Sequence, residues 1–294
     1  MTVKAKAHIA VLIANFFFGG SMVAVKHITP YVMQPLAVNV LRVSVAFSLF
    51  WLLYFFKPSN ASIQQKHIPR FIICAICGVV INQILFIKGV SLTTPIHASL
   101  LSLSTPIAIT IIAAWLLKEM LSISKIMGLL LGIAGASILV LSKTKDAVAS
   151  NMVTGDIFVI INAISYAFYL VLARPLMNEY PAIHVTRWIF LLGALCIVPI
   201  GFKDVLAIQW HLFEFSHWFA LCFLVLGATF FAYLFIVYGI SILGASVTGT
   251  YIYTQPIFAT ITAMILFNEH LSLLKIFAAV CIFSGVFIAN YKRK

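Results

Sequence analysis

The chain has 294 residues, 63% hydrophobic and 9% charged, with a mean hydropathy of +1.11, where a soluble domain is about half apolar and a quarter charged. Such a composition excludes a water-soluble protein and describes a polytopic membrane protein whose function must sit among its helices. The formal charge of +12 does not point to nucleic acid, because the basic residues stand singly between apolar runs and only Lys292-Arg293-Lys294 clusters.

Lys4 and Lys6 precede an apolar stretch, Ile9 to Val25, without an Ala-x-Ala cleavage pattern, so the stretch is read as a retained first span. Apolar run length and the Lys, Pro, Asn and Gly breaks predict an all-α protein of ten transmembrane helices. The first five lie near 7–28, 32–56, 70–90, 94–117 and 123–142, and the second five near 155–177, 184–202, 216–238, 245–267 and 272–291. Cys74-Ala-Ile-Cys77 has metal-like spacing, but it has no second pair and no neighbouring histidine. The five cysteines are therefore read as packing residues, with no disulfide framework, metal or cofactor.

Residues 106–126 recur 150 positions later as residues 256–276. The weight lies on the identical Pro106/Pro256, Thr110/Thr260, Glu119/Glu269, Ser122/Ser272 and Lys125/Lys275, and Gly89/Gly239 and Gly135/Gly285 share the offset. The chain thus divides into a first repeat, 1–142, a linker, 143–154, and a second repeat, 155–294. Five spans per repeat is an odd number, so the second enters the membrane from the opposite side: the repeats are inverted, as in transporters that rock one bundle against the other. With the N-terminus inside, twelve Lys and Arg fall on the inner side and six, including Lys26, Lys143, Lys145 and Lys275, on the outer. This places both termini in the cytoplasm and residues 143–154 outside.

Pro106 and Pro256 fall midway along their spans, where a missing N–H frees carbonyls inside the membrane. They mark hinges or cavity formers, or kinks that shape packing. Ser104 and Thr105 precede the first, and Tyr251 and Thr254, on one helix face, precede the second. Asn82-Gln83 on the third span and Tyr166 and Tyr169 on the sixth add amides and rings. These eight residues are the expected substrate-binding set, placed between the third, fourth, sixth and ninth spans, though each polar side chain also serves as interhelical glue. Aromatic rings, hydroxyls and amides without an acid suit a small zwitterionic or neutral metabolite. Arg42, inside the second span with no acid at its depth, is read as structural or gating. None of the seven acids is midspan, so His97 and His184 are the titrating groups available for proton coupling. Ser122 and Ser272 are expected to cap the helices that follow. Gly128, Gly132 and Gly135 allow a close helix approach, most simply within the repeat.

Several segments carry a family resemblance: Asn15-Phe16-Phe17-Phe18-Gly19-Gly20-Ser21 with Val25-Lys26, Arg42, and the stretch from Ala98-Ser99-Leu100-Leu101 to Pro106, then Glu119 and Gly135. The second copy follows with Pro256, Glu269 and Gly285. On these residues the chain resembles the EamA branch of the drug/metabolite transporter superfamily. The resemblance implies ten helices in two inverted EamA repeats and movement of small metabolites, often amino-acid export, across a bacterial inner membrane. Phe18 stands where the family usually has Trp, which keeps the ring and removes the indole donor. The expected function is export of an amino acid or related compound by alternating access, as a monomer or weak homodimer in the lipid bilayer, with protons available as the coupling ion. The alternative is a membrane-embedded enzyme or a non-transporting scaffold. No His-Glu-x-x-His, Gly-x-Ser-x-Gly or Walker-type motif supports an enzyme.

Overall fold

The computed structural model describes residues 2–56, 63–117, 123–141, 150–243, 248, 251–268, 270 and 272–290, and among them there are helices and turns but no strand. The first half runs α1 (Val3–Ile28), α2 (Pro35–Phe56), α3 (Ile68–Ala75), a π-helical stretch Ile76–Ile81, α4 (Asn82–Leu92), α5 (Pro95–Ser102), α6 (Ser104–Leu117) and α7 (Ile123–Leu141). The second half begins with α8 (Met152–Glu179), α9 (Ala182–Leu206), α10 (Phe215–Cys222), a π-helical stretch Phe223–Phe231 and α11 (Ala232–Leu243). It continues through a 3-10 turn, Tyr251–Thr254, into α12 (Gln255–Phe267), and ends in α13 (Leu273–Asn290).

Among the described residues, seven helical runs are long and apolar enough to cross a bilayer. Three shorter apolar helices, Ile126–Ile138, Tyr251–Phe267 and Leu273–Gly285, fall in the fifth, ninth and tenth predicted spans. Boundaries differ from the sequence reading in several places, the first span beginning at Val3 and the seventh running from Ala182 to Leu206. The third span begins at Gln65, and the sixth at Met152, because the Asn151 side chain caps the Thr154 N–H at 3.3 Å and draws the last three predicted linker residues into the helix. Residues 142–149, with Lys143 and Lys145, lie outside the described residues, as do Glu119, Ser122 and Glu269. The Ser272 cap is present: its hydroxyl accepts from the Lys275 N–H at 3.2 Å.

Packing relates the two halves by a pseudo-two-fold axis. α2 lies on its counterpart α9, with Gly201 against Leu36 and Val40 at one end and Phe50 against Phe190 further along, so the two run antiparallel. α7 lies on its counterpart α13 in the same way. A Cβ on Gly135 would meet Ala278–Ile282, and one on Gly285 would meet Gly128 and Gly132, which are those same positions less 150. Reciprocal contacts of this kind are what a two-fold produces, and antiparallel counterparts put its axis in the membrane plane. The approach at Gly128 and Gly135 is therefore between halves, whereas a Cβ on Gly132 would meet Ile107 of α6, a contact within the repeat as expected; at Gly285 α13 lacks bulk, and the backbone of α7 fills the space. α1 packs on α11, α12 and the π-helical stretch before α11, while α8 packs on α4, α5, α6 and the stretch before α4. Each half's first helix is thus clasped by the other half. Large apolar side chains such as Trp115, Leu130, Ile265 and Phe287 stay exposed on the outer faces, where hydrocarbon is the solvent.

Candidate functional site at the pseudo-two-fold axis

Both π-helical stretches occupy the same place in their halves, since Ile76–Ile81 shifted by 150 falls within Phe223–Phe231. A π turn leaves carbonyls without their usual donors, and each must be satisfied in hydrocarbon. Side chains do this. Ser165 donates to the Cys77 carbonyl and Asn162 to the Asn82 carbonyl, both at 2.7 Å, and Thr229 donates to the Leu224 carbonyl at 2.7 Å. Just beyond each stretch come Gln83 in one half and Tyr233 in the other, 150 positions apart, and their polar side-chain ends face each other. Equivalent residues that touch lie on the symmetry axis.

A small set of rings and one cation gathers round this pair. Phe18 and Phe190 both meet the Tyr233 ring edge-on, at 6.0 and 5.1 Å. Tyr166 and Tyr169 lie 5.6 Å apart, centroid to centroid. Arg42 donates from Nε to the Thr229 hydroxyl at 2.9 Å, with Cζ 6.0 Å from the Phe86 ring centre. Tyr166 and Tyr233 each follow a lipid-exposed residue, Ile164 or Phe231, by two positions and so point about 200° away from lipid, yet both keep accessible surface. They line interior space between the halves. Tyr169 does not: it is 5% exposed, and its ring fills the space beside Gly78, where a Cβ would come within 2.6 Å.

The expected binding set is divided by the structure. Gln83 and Tyr166 stand at the axis. Asn82 contributes its carbonyl to Asn162. Ser104 and Thr105 lie at the break in the fourth span, where α5 ends at Ser102 and α6 starts at Ser104. Pro106 therefore sits in the first turn of α6 and Pro256 in the first turn of α12, so neither kinks a continuous helix; a proline there gives up an N–H that the helix does not use. Thr254 donates to the Tyr251 carbonyl within the turn at 2.7 Å, and Tyr251 bonds His8 Nδ1 through its hydroxyl at 2.7 Å. His8 is ten residues before Phe18 on α1, about 15 Å along the helix. Tyr251 thus stands towards the N-terminal end and not beside Gln83.

A buried polar cluster stands at the opposite end. His97 Nδ1 and Asp156 Oδ2 are 3.0 Å apart, with neither side chain exposed, and the Thr93 hydroxyl donates to Asp156 Oδ1. Lys26 donates to the Ser91 carbonyl at 2.8 Å nearby. Asp156 reads in the sequence as an acid at a span end; what the sequence does not show is that α8 starts against the end of α4, with Gly155 on Thr93 and Gly89. His184 takes a hydrogen bond on Nδ1 from Arg187 at 2.9 Å. Protonating that nitrogen would set two cations together, so His97 is the better placed of the two candidate histidines.

The model of the EamA-like transporter family matches residues 5–141 and again 153–291. An uncharacterized transporter of Bacillus subtilis, YetK, is 21% identical, covering 98% of this chain and 88% of its own. An uncharacterized transporter of Archaeoglobus fulgidus is 23% identical over 99% of both chains. The Arabidopsis thaliana protein WALLS ARE THIN 1 is 26% identical over 98% of this chain and 83% of its own. A solved crystal structure superposes with a TM-score of 0.65 at 18% identity over 97% of this chain and 96% of that one, a likeness of fold. With the family model matching twice, once in each half of an antiparallel pseudo-two-fold bundle, the chain belongs to the EamA-like transporter family.

Proposed function

We propose that the protein is a secondary transporter that exports an amino acid or related small metabolite across the bacterial inner membrane by alternating access, with repeats 1–142 and 155–294 joined by 143–154. The observation that carries this reading is the Gln83–Tyr233 contact on the pseudo-axis, flanked by interior-facing Tyr166 and by spans broken at Leu103 and at Tyr251–Thr254. A site on the axis between inverted halves is equally reachable from both sides when one half rocks against the other. Family and relatives are transporters by name, and none of those names states a substrate.

The end opposite the N-terminus holds the buried His97, Asp156 and Thr93 side chains. We assign the coupling proton to this pair: opening that end to water would hydrate both groups and let a proton exchange there, while closing it dehydrates them again. The charged neighbours are Lys26, buried on Ser91, and Lys88, exposed above the Phe158 ring. Both termini are assigned to the cytoplasm. Lys26 and Lys275, two of the six cations on the outer side, are buried at 9% and 1% exposure, so the outer loops carry still fewer of the charges that orient a membrane protein. A cysteine replacing Lys145 should react with an impermeant maleimide in intact cells, and one added after Lys294 should not; the reverse pattern overturns the orientation.

Counterflow of labelled L-amino acids into proteoliposomes, with and without a pH gradient, tests the function. Saturable exchange of a subset, faster with an opposing proton gradient, is expected. No exchange of any amino acid or related metabolite contradicts it.

A further inference from the structure

Asn39 and Arg42 lie three residues apart on α2, one above the other on the same face. Asn39 is fully buried and Arg42 is 3% exposed. Arg42 is held along one edge only: Nε donates to Thr229, and Thr229 passes its own proton to the Leu224 carbonyl. Its Nη1 has no partner, and neither Oδ1 nor Nδ2 of Asn39 has one. Three orphaned polar atoms on one turn of a buried helix face call for an explanation. Among the described residues the ion pairs of the acids are His67–Glu179 and His97–Asp156, and Arg42 has none. An arginine that only joined helices would bond along both edges.

The depth is right for substrate. Arg42 is seven residues from the start of α2, and Gln83 is nine from the end of α4 at the same end. That puts them about 10 and 14 Å into the membrane. The other half has no copy of the arrangement. Val79 stands at Thr229's place in the first half and packs into the space left by Gly193, so the polar seat exists once, on one side of the axis.

We infer that Asn39 and Arg42 form the seat for a substrate carboxylate. Arg42 Nη1 donates to the carboxylate and Asn39 Nδ2 adds a second donor, while Asn39 Oδ1 accepts from a donor on the neighbouring carbon. That pattern selects a small carboxylic acid with an α-amino or α-hydroxy group, its side chain turned to Phe86, Phe18 and Tyr166. Arg42 Nε and Thr229 fix the guanidinium plane beforehand, so the substrate meets a donor already oriented. The inference rests on the transport reading of the same central site and adds to it the chemical class and the residues that recognise it.

The test is thermal stabilisation of purified protein by proteinogenic L-amino acids and matching 2-hydroxy acids, each paired with its carboxamide. Acids that raise the melting temperature are expected to do so at concentrations at least about tenfold below their amides. Arg42→Gln and Asn39→Leu should both lose that preference. Asn39→Leu should also melt higher than wild type without ligand, because it removes orphaned polar atoms, a gain that a purely structural asparagine would not give. Equal stabilisation by acid and amide, retention of acid binding in Arg42→Gln, or no stabilisation by any acid overturns the seat. Counterflow with the same pairs separates the two claims: exchange of acids and amides alike leaves transport standing without the seat, and acid binding without exchange leaves the seat standing without transport.

Discussion

Gln83 and Tyr233 are the same position in two halves of one chain, and their polar ends face each other. Removing either partner takes away the polar group that faces the other across the axis. Gln83→Leu and Tyr233→Phe should each slow transport, and the double variant should show a coupling of about 1 kcal/mol in a thermodynamic cycle on stability. Strict additivity of the two single effects would mean that the pair is not a working contact.

The buried His97–Asp156 pair leads to a pH prediction. Asp156→Asn or His97→Leu removes one member of a pair with no exposed surface and should cost about 3–5 kcal/mol, with the double apolar replacement recovering much of it. The double variant should fold and exchange substrate at a rate independent of the pH gradient, whereas wild type is accelerated by it. Retained gradient dependence in the double variant would remove the pair from coupling.

Pro106 and Pro256 stand in first turns after helix breaks, so alanine at either should change stability by less than about 0.5 kcal/mol. An added N–H can, however, mend the break towards Leu103 or towards Tyr251–Thr254. Transport should then fall while the melting temperature holds. Unchanged rates in both single variants and in the double would show that the breaks are not hinges.

At Gly285 a Cβ would lie 2.5 Å from the Gly132 nitrogen and 2.6 Å from the Gly128 carbonyl oxygen. Backbone does not move aside as a side chain does. Gly285→Ala should therefore destabilise by about 1–3 kcal/mol, read as a lower melting temperature in detergent. A neutral effect would mean that α7 and α13 do not meet there.

What the sequence disclosed was whatever rests on period and identity. Run length gave the spans, the 150-residue offset gave the halves, and an odd span count gave their inversion. The offset also links Gln83 to Tyr233, but nothing in it says that equivalent residues touch, because contact depends on the position of the axis. Tyr251 reads as a midspan ring, yet a 3-10 turn and His8 hold it towards the N-terminal end. Asp156 reads as an acid at a span end, yet Gly89 and Gly155 let α4 and α8 close on each other and bring it to His97. Arg42 reads as structural, since a sequence shows no acid near it but not which of its nitrogens lack a partner. π-helical stretches have no residue signature, and their effect is to aim Gln83 and Tyr233 inward.

Alternating access through the axis is tested most directly by a single cysteine at Tyr166 in a protein lacking its five native cysteines, reconstituted in liposomes. An impermeant thiol reagent is applied from one side and then from the other. The account predicts modification from both sides, slowed from each by a transported solute, with His97→Gln raising the rate from the side opposite the N-terminus. Modification from one side only, or from neither, would contradict it.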